Sequence, residues 1–125
     1  MTLRESRFQA ELIRKLRNLF PGCVILKNDP NYLQGVPDLL VLWRDRWAAL
    51  ECKNNAKAMV RPNQGYYVTL MDAMSFSAFI YPENEEEILH ELQHAFRPRR
   101  TTRVSKRQQV SLDQLRHRQA NGNVP

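Results

Sequence analysis

Cysteine is scarce in this chain: Cys23 and Cys52 are the 2 thiols among 125 residues. That excludes a disulfide-stapled secreted scaffold. No apolar run approaches the roughly 20 residues of a membrane span. The opening residues, Met1-Thr2-Leu3-Arg4-Glu5, lack the apolar stretch of a secretory leader. Acid is the other missing element, and only at one end. Residues 97–125 carry 8 Lys/Arg against a single Asp, Asp113, a net of +7. Residues 1–96 carry 11 Lys/Arg and 12 Asp/Glu, a net of −1. The formal charge of +6 therefore resides in the last 29 residues. With 42% hydrophobic residues, the remainder is apolar enough for one packed domain. The expectation is a soluble cytoplasmic protein with no membrane partner, and a basic tail that seeks a polyanion.

Periodicity divides residues 1–96 into seven elements. Phe8, Leu12, Leu16 and Leu19 recur at helical spacing, so a helix is predicted from about Thr2 to Phe20. Thr2 and Glu5 fit a capping box at its start, and Pro21-Gly22 ends it. Cys23 to Leu26 reads as a strand, and residues 28–37 as a polar loop carrying Tyr32 and Gly35. Leu39 to Trp43 is apolar on both faces, which suits a central strand. Arg44-Asp45-Arg46 turns the chain into a third strand, Trp47 to Lys53. A helix over about 63–74, a strand over 75–81 and a helix over 84–96 complete the order α-β-β-β-α-β-α. The acids Glu85, Glu86 and Glu87 suit the last helix's N-terminus.

The hairpin turn has a chemical consequence. With Arg44-Asp45-Arg46 at its tip, residues near 38 lie opposite residues near 52. Asp38 and Glu51 then meet at the same end of the hairpin. Lys53, two residues beyond Glu51, projects from the same face, and Cys52 points the other way into the core. Two acids at close range repel unless a cation sits between them. Oxygen ligands with room for water suit Mg²⁺ or Mn²⁺. Such a cation can activate a water at a phosphodiester, and a nearby lysine can stabilise the charge that develops.

Pro37-Asp38 followed by Glu51-Cys52-Lys53, in this element order, resembles the PD-(D/E)xK nuclease superfamily over about residues 1–96. Gly35-x-Pro37-Asp38 and the later Gln64 resemble its VRR-NUC branch, found in phage-type and repair nucleases. The resemblance implies an α/β fold with a restriction-endonuclease-like core: a mixed central sheet flanked by helices. It implies metal binding by Asp38, Glu51 and the backbone carbonyl of Cys52, and catalytic assistance from Lys53. Gln64 takes a supporting role near the site. The superfamily also commonly draws a glutamate from its first helix. Glu5, Gln9 and Glu11 are the candidates here. Glu5 lies on the apolar stripe and is preferred as an outer metal ligand, with Gln9 one turn later and Glu11 on the solvated side.

The other readings stay beside these. Asp38 alone could be a turn residue, Glu51 and Lys53 a surface pair, and Glu5 simply a cap. His90 and His94 stand four residues apart but lack a third ligand, so they read as a solvated face. Trp43 and Trp47 flank the turn as packing or interface residues. The tail, residues 97–125, is expected to be disordered alone and to bind nucleic acid through Arg97, Arg99, Arg100, Arg103, Lys106 and Arg107.

These expectations converge on a Mg²⁺-dependent endodeoxyribonuclease that leaves 5′ phosphates. Mn²⁺ would substitute, and a phage-encoded enzyme would act in the host cytoplasm. A minimal core without a base-reading domain suits branched DNA such as Holliday junctions, cut by a homodimer. The alternatives are a sequence-specific homing or restriction enzyme, or a non-catalytic nucleic-acid-binding module on the same fold.

Overall fold

The computed structural model describes residues 2–97, together with Arg107, Gln114 and Leu115. Seven elements follow in the expected order: α1 (Leu3–Leu19), β1 (Val24–Lys27), β2 (Leu39–Trp43), β3 (Arg46–Cys52), α2 (Pro62–Met74), β4 (Phe76–Ile80) and α3 (Glu85–Ala95). Element ends differ from the sequence reading by a residue or so. The largest physical reason is Pro62, which begins α2 because a first helical position has no N–H to lose.

The four strands form one mixed sheet in the order β1-β2-β3-β4. β1 runs antiparallel to β2, β2 antiparallel to β3, and β3 parallel to β4. The parallel pair requires a crossover, and α2 supplies it. The hairpin between β2 and β3 closes through Arg44 and Asp45, with Trp43 opposite Arg46. Arg44 takes the left-handed conformation at φ 58°, which a two-residue hairpin turn demands.

The pleat sorts the side chains of β3. Ala48, Leu50 and Cys52 face a core shared with Leu12, Leu16 and Phe20 of α1 and with Ile88 and Leu92 of α3. The two helices are also joined by Lys15 Nζ and Glu85 Oε1 at 2.7 Å. Trp47, Ala49 and Glu51 alternate with that set and so face the opposite side of the sheet. α2 packs against β3 and β4. The outer part of the sheet leaves Val24, Leu26 and Leu42 exposed. Among the described residues no helix is long and apolar enough to cross a membrane.

Residues 28–38 leave the sheet at β1 and return to it at β2. Asn28 closes this loop at its base. Its N–H donates to the Asp38 carbonyl at 2.8 Å, and its side-chain amide donates to the Pro37 carbonyl at 2.7 Å. The chain therefore enters β2 with Asp38 already fixed.

Candidate active site

The register places Leu39 opposite Leu50, so Asp38 and Glu51 stand across from each other at the open end of the hairpin. Each holds the other's strand. The Asp38 N–H donates to Glu51 Oε2 at 3.1 Å, and the Cys52 N–H donates to Asp38 Oδ2 at 2.9 Å. A carboxylate that accepts a backbone N–H is fixed without spending its second oxygen.

Glu51 Oε1 faces two further groups. Gln64 Nε2 donates to it at 3.0 Å, and Lys53 Nζ stands 3.9 Å away. Gln64 also accepts, through Oε1, from Lys53 Nζ at 2.8 Å and from the Arg61 N–H at 3.1 Å. The bond to Arg61 turns the glutamine back over the start of α2 and fixes its amide. Its oxygen faces the ammonium and its nitrogen faces the carboxylate. The expected supporting residue is thus the bridge between Glu51 and Lys53.

Glu51 is 4% exposed and Lys53 9%. Burial first, and the neighbouring Asp38 second, push the Glu51 carboxyl up to about 8, with Lys53 offsetting part of the rise. Burial also raises Asp38, against the opposing bond from the Cys52 N–H. The ammonium therefore does not neutralise the pair. It is drawn aside by Gln64 and lies at ion-pair distance from one oxygen only. A buried and a half-buried acid whose repulsion is only partly offset form a site that gains from a cation.

The donor set fits a hard divalent ion. Asp38 and Glu51 offer oxygen alone, and no hydrogen bond is made to Asp38 Oδ1 among the described residues. No group of three His, Cys, Asp or Glu side chains gathers among those residues. Waters and a substrate oxygen would have to complete the shell, which is how Mg²⁺ is commonly held.

The remaining first-helix and strand residues separate clearly. Glu5 is half-buried, and its charge raises both Asp38 and Glu51, so it lies on their side of α1. Only one arm of the expected capping box forms: the Glu5 N–H donates to Thr2 Oγ1 at 3.1 Å. Gln9 is buried, and it lies beside the Cys52 thiol. Glu51 and Cys52 point to opposite faces, so Gln9 stands behind the site and not within it. Glu11 is exposed, as its place on the helix predicts. The Cys52 N–H donates to Asp38 Oδ2, which sets its backbone, with the carbonyl expected as a ligand, beside the acids; burial raises its thiol to about 12, far from a thiolate.

Of the tail residues, Arg97 is exposed just beyond α3, and its N–H donates to the His94 carbonyl. Arg107 is exposed and helical. Arg99, Arg100, Arg103 and Lys106 lie outside the described residues. Sequence reasoning missed Asn28, which it treats only as a strand breaker. An asparagine at the start of a loop that returns to the same sheet was the available signal.

The chain matches no protein-family model, no curated protein and no solved structure.

Proposed function

We propose that the protein is a metal-dependent deoxyribonuclease whose site is Asp38, Glu51, Lys53 and Gln64. The observation that carries this reading is the pair of acids, Glu51 buried and Asp38 half-buried, locked onto each other's strand, with the lysine ammonium held beside them and not between them. The order α-β-β-β-α-β and the motif Pro37-Asp38 with Glu51-Cys52-Lys53 support a restriction-endonuclease-like core. Glu5, the nearest further acid, is the proposed outer ligand.

Asp38 and Glu51 would hold Mg²⁺, or Mn²⁺ in its place. The bound ion would polarise a phosphodiester oxygen and ease ionisation of a water. Lys53 orients that water and stabilises charge on the phosphate as the new P–O bond forms. The bond to the 3′ oxygen breaks, leaving a 3′ hydroxyl and a 5′ phosphate. Gln64 keeps the ammonium from closing onto Glu51, so the carboxylate stays available. This is catalysis by positioning and charge neutralisation. The tail beyond residue 97 would add sequence-independent, salt-sensitive affinity for phosphates. The favoured substrate is branched DNA, cut by a homodimer with one site on each arm.

The test compares a labelled four-way junction with the matching linear duplex, in Mg²⁺, Mn²⁺ or EDTA. Paired symmetric cuts confined to the junction, and lost with EDTA, are expected. Asp38→Ala and Lys53→Ala should each slow cleavage by on the order of a hundredfold or more. Normal cutting by both variants would sink the site assignment. Binding without cutting under every metal would leave a nucleic-acid-binding module.

A further inference from the structure

His90 and His94 lie on the exposed face of α3 with their Nε2 atoms 3.3 Å apart and their rings inclined at 76°. Two neutral imidazoles can share one N–H at that distance, but 3.3 Å is longer than the usual range for a nitrogen donor. It equals the bite of a tetrahedral metal. Two bonds of about 2.05 Å at a tetrahedral angle set the nitrogens about 3.3 Å apart. The same nitrogen of each ring points inward, as chelation requires.

We propose that His90 and His94 form a second cation site, a two-histidine chelate for a borderline transition ion such as Zn²⁺, Ni²⁺ or Cu²⁺. Imidazole selects these ions over Mg²⁺ and Ca²⁺, which prefer oxygen. Among the described residues no carboxylate or thiol joins the pair, so water completes the shell. His94 lies in the last turn of α3, where the helix dipole favours positive charge. Arg97 borders the same groove and opposes it, which limits affinity. The groove holds about 440 Å³ and is lined also by Phe20, Trp43 and Phe96. An ion there would clip the final turns of α3 beside an indole.

The site is separate from the carboxylate pair. Trp43 stands at the turn of the hairpin and Glu51 at its open end, five strand residues from Arg46, or about 17 Å. The proposal therefore stands or falls independently of nuclease activity.

The experiment is a zinc titration of the untagged full chain by calorimetry, with Ni²⁺ quenching of tryptophan fluorescence as a second readout. One Zn²⁺ per chain is expected. His90→Ala and His94→Ala should each weaken it by on the order of tenfold or more, because each removes the chelate. Both residues are exposed, so the variants should fold. Asp38→Asn should bind Zn²⁺ at His90 and His94 unchanged, and excess Mg²⁺ should not displace it. Ni²⁺ should quench the wild-type protein and not Trp43→Phe to the same extent. Equal zinc affinity in the wild type and both histidine variants would overturn the proposal. So would zinc binding that is lost in Asp38→Asn and kept in His94→Ala.

Discussion

The two ends of the β2–β3 hairpin obey opposite rules. At the turn, Trp43 meets Phe20 at 5.1 Å and Phe96 at 6.1 Å, and Phe20 meets Phe96 edge-on at 5.0 Å. The indole N–H is satisfied by the Pro21 carbonyl at 2.9 Å. The three aromatic rings pack on one another and the indole N–H is paired, so this end stabilises the fold, although the buried Arg46 Nε finds no hydrogen-bond partner among the described residues. At the open end, the buried Glu51 and the half-buried Asp38 face each other, and Gln64 draws the nearby ammonium away. That arrangement costs stability, and acids perturbed in this way cluster at functional sites. The same two strands thus carry an anchor at one end and a pair of mutually repelling acids at the other. Positional strain of this kind is the usual signature of a site.

The sharpest way to break the comparison is to exchange the burdens. Phe96→Ala removes an aromatic side chain that is 2% exposed at the turn end. It should cost about 3–5 kcal/mol of unfolding free energy. Cleavage per folded molecule should stay near wild type at low temperature. Chemical denaturation beside an activity assay checks both. A loss of activity without a loss of stability would show that the turn end is not a mere anchor.

The open end should respond to pH in the reverse sense from an ordinary acid. Glu51 has its folded value raised from 4.5 to about 8, so the folded state holds the proton more tightly than the unfolded state does. Below pH 4.5 both states are protonated and no penalty arises. As pH rises from about 4.5 to about 8, stability should fall, and Asp38, raised as well, adds to the slope. Glu51→Gln removes one charge and should flatten that slope while abolishing cleavage. Mg²⁺ or Mn²⁺, which needs the deprotonated pair, should raise the melting temperature more at pH 8.5 than at pH 5.5. Parallel stability profiles for the wild type and Glu51→Gln would remove the repulsion from the account.

Much of this division was legible in the residues. The turn at Arg44-Asp45-Arg46 was enough to bring Asp38 and Glu51 to one end of the hairpin, but the exact register was not: Arg46 belongs to β3, the turn has two residues, and Asp38 therefore stands opposite Glu51 and not residue 52. Alternation alone sent Cys52 to the core and Glu51 to the other face. The resemblance pointed to Gln64 but not to its orientation, which depends on the Arg61 N–H and on where α2 begins. Helix phase also puts Gln9 on the inner stripe, where it is buried, but only the packing of α1 shows that it lies beside Cys52. The aromatic cluster escaped because it joins residues 20, 43 and 96, which no local pattern links. Contacts of long sequence separation are what a single sequence conceals.

The smallest expected effect tests how finely the open end is set. Gly35 has φ +89°, and a Cβ placed on it would lie 2.7 Å from the Asn63 side chain and 2.8 Å from its backbone carbonyl carbon. Asn63 precedes Gln64, so the loop before Asp38 seats directly on the turn of α2 that carries the bridging amide. Gly35→Ala meets both a left-handed backbone and a fixed neighbour, and should cost about 1–2 kcal/mol. Part of that strain is relieved by shifting the start of α2, which lengthens the Gln64 contacts to Glu51 and Lys53. Cleavage should therefore fall further than stability, with the deficit in the chemical step and not in DNA affinity. Single-turnover rates at saturating enzyme separate the two. A rate that is preserved in Gly35→Ala would mean that Gln64 keeps its place without the loop's support, and that Arg61 alone fixes the amide.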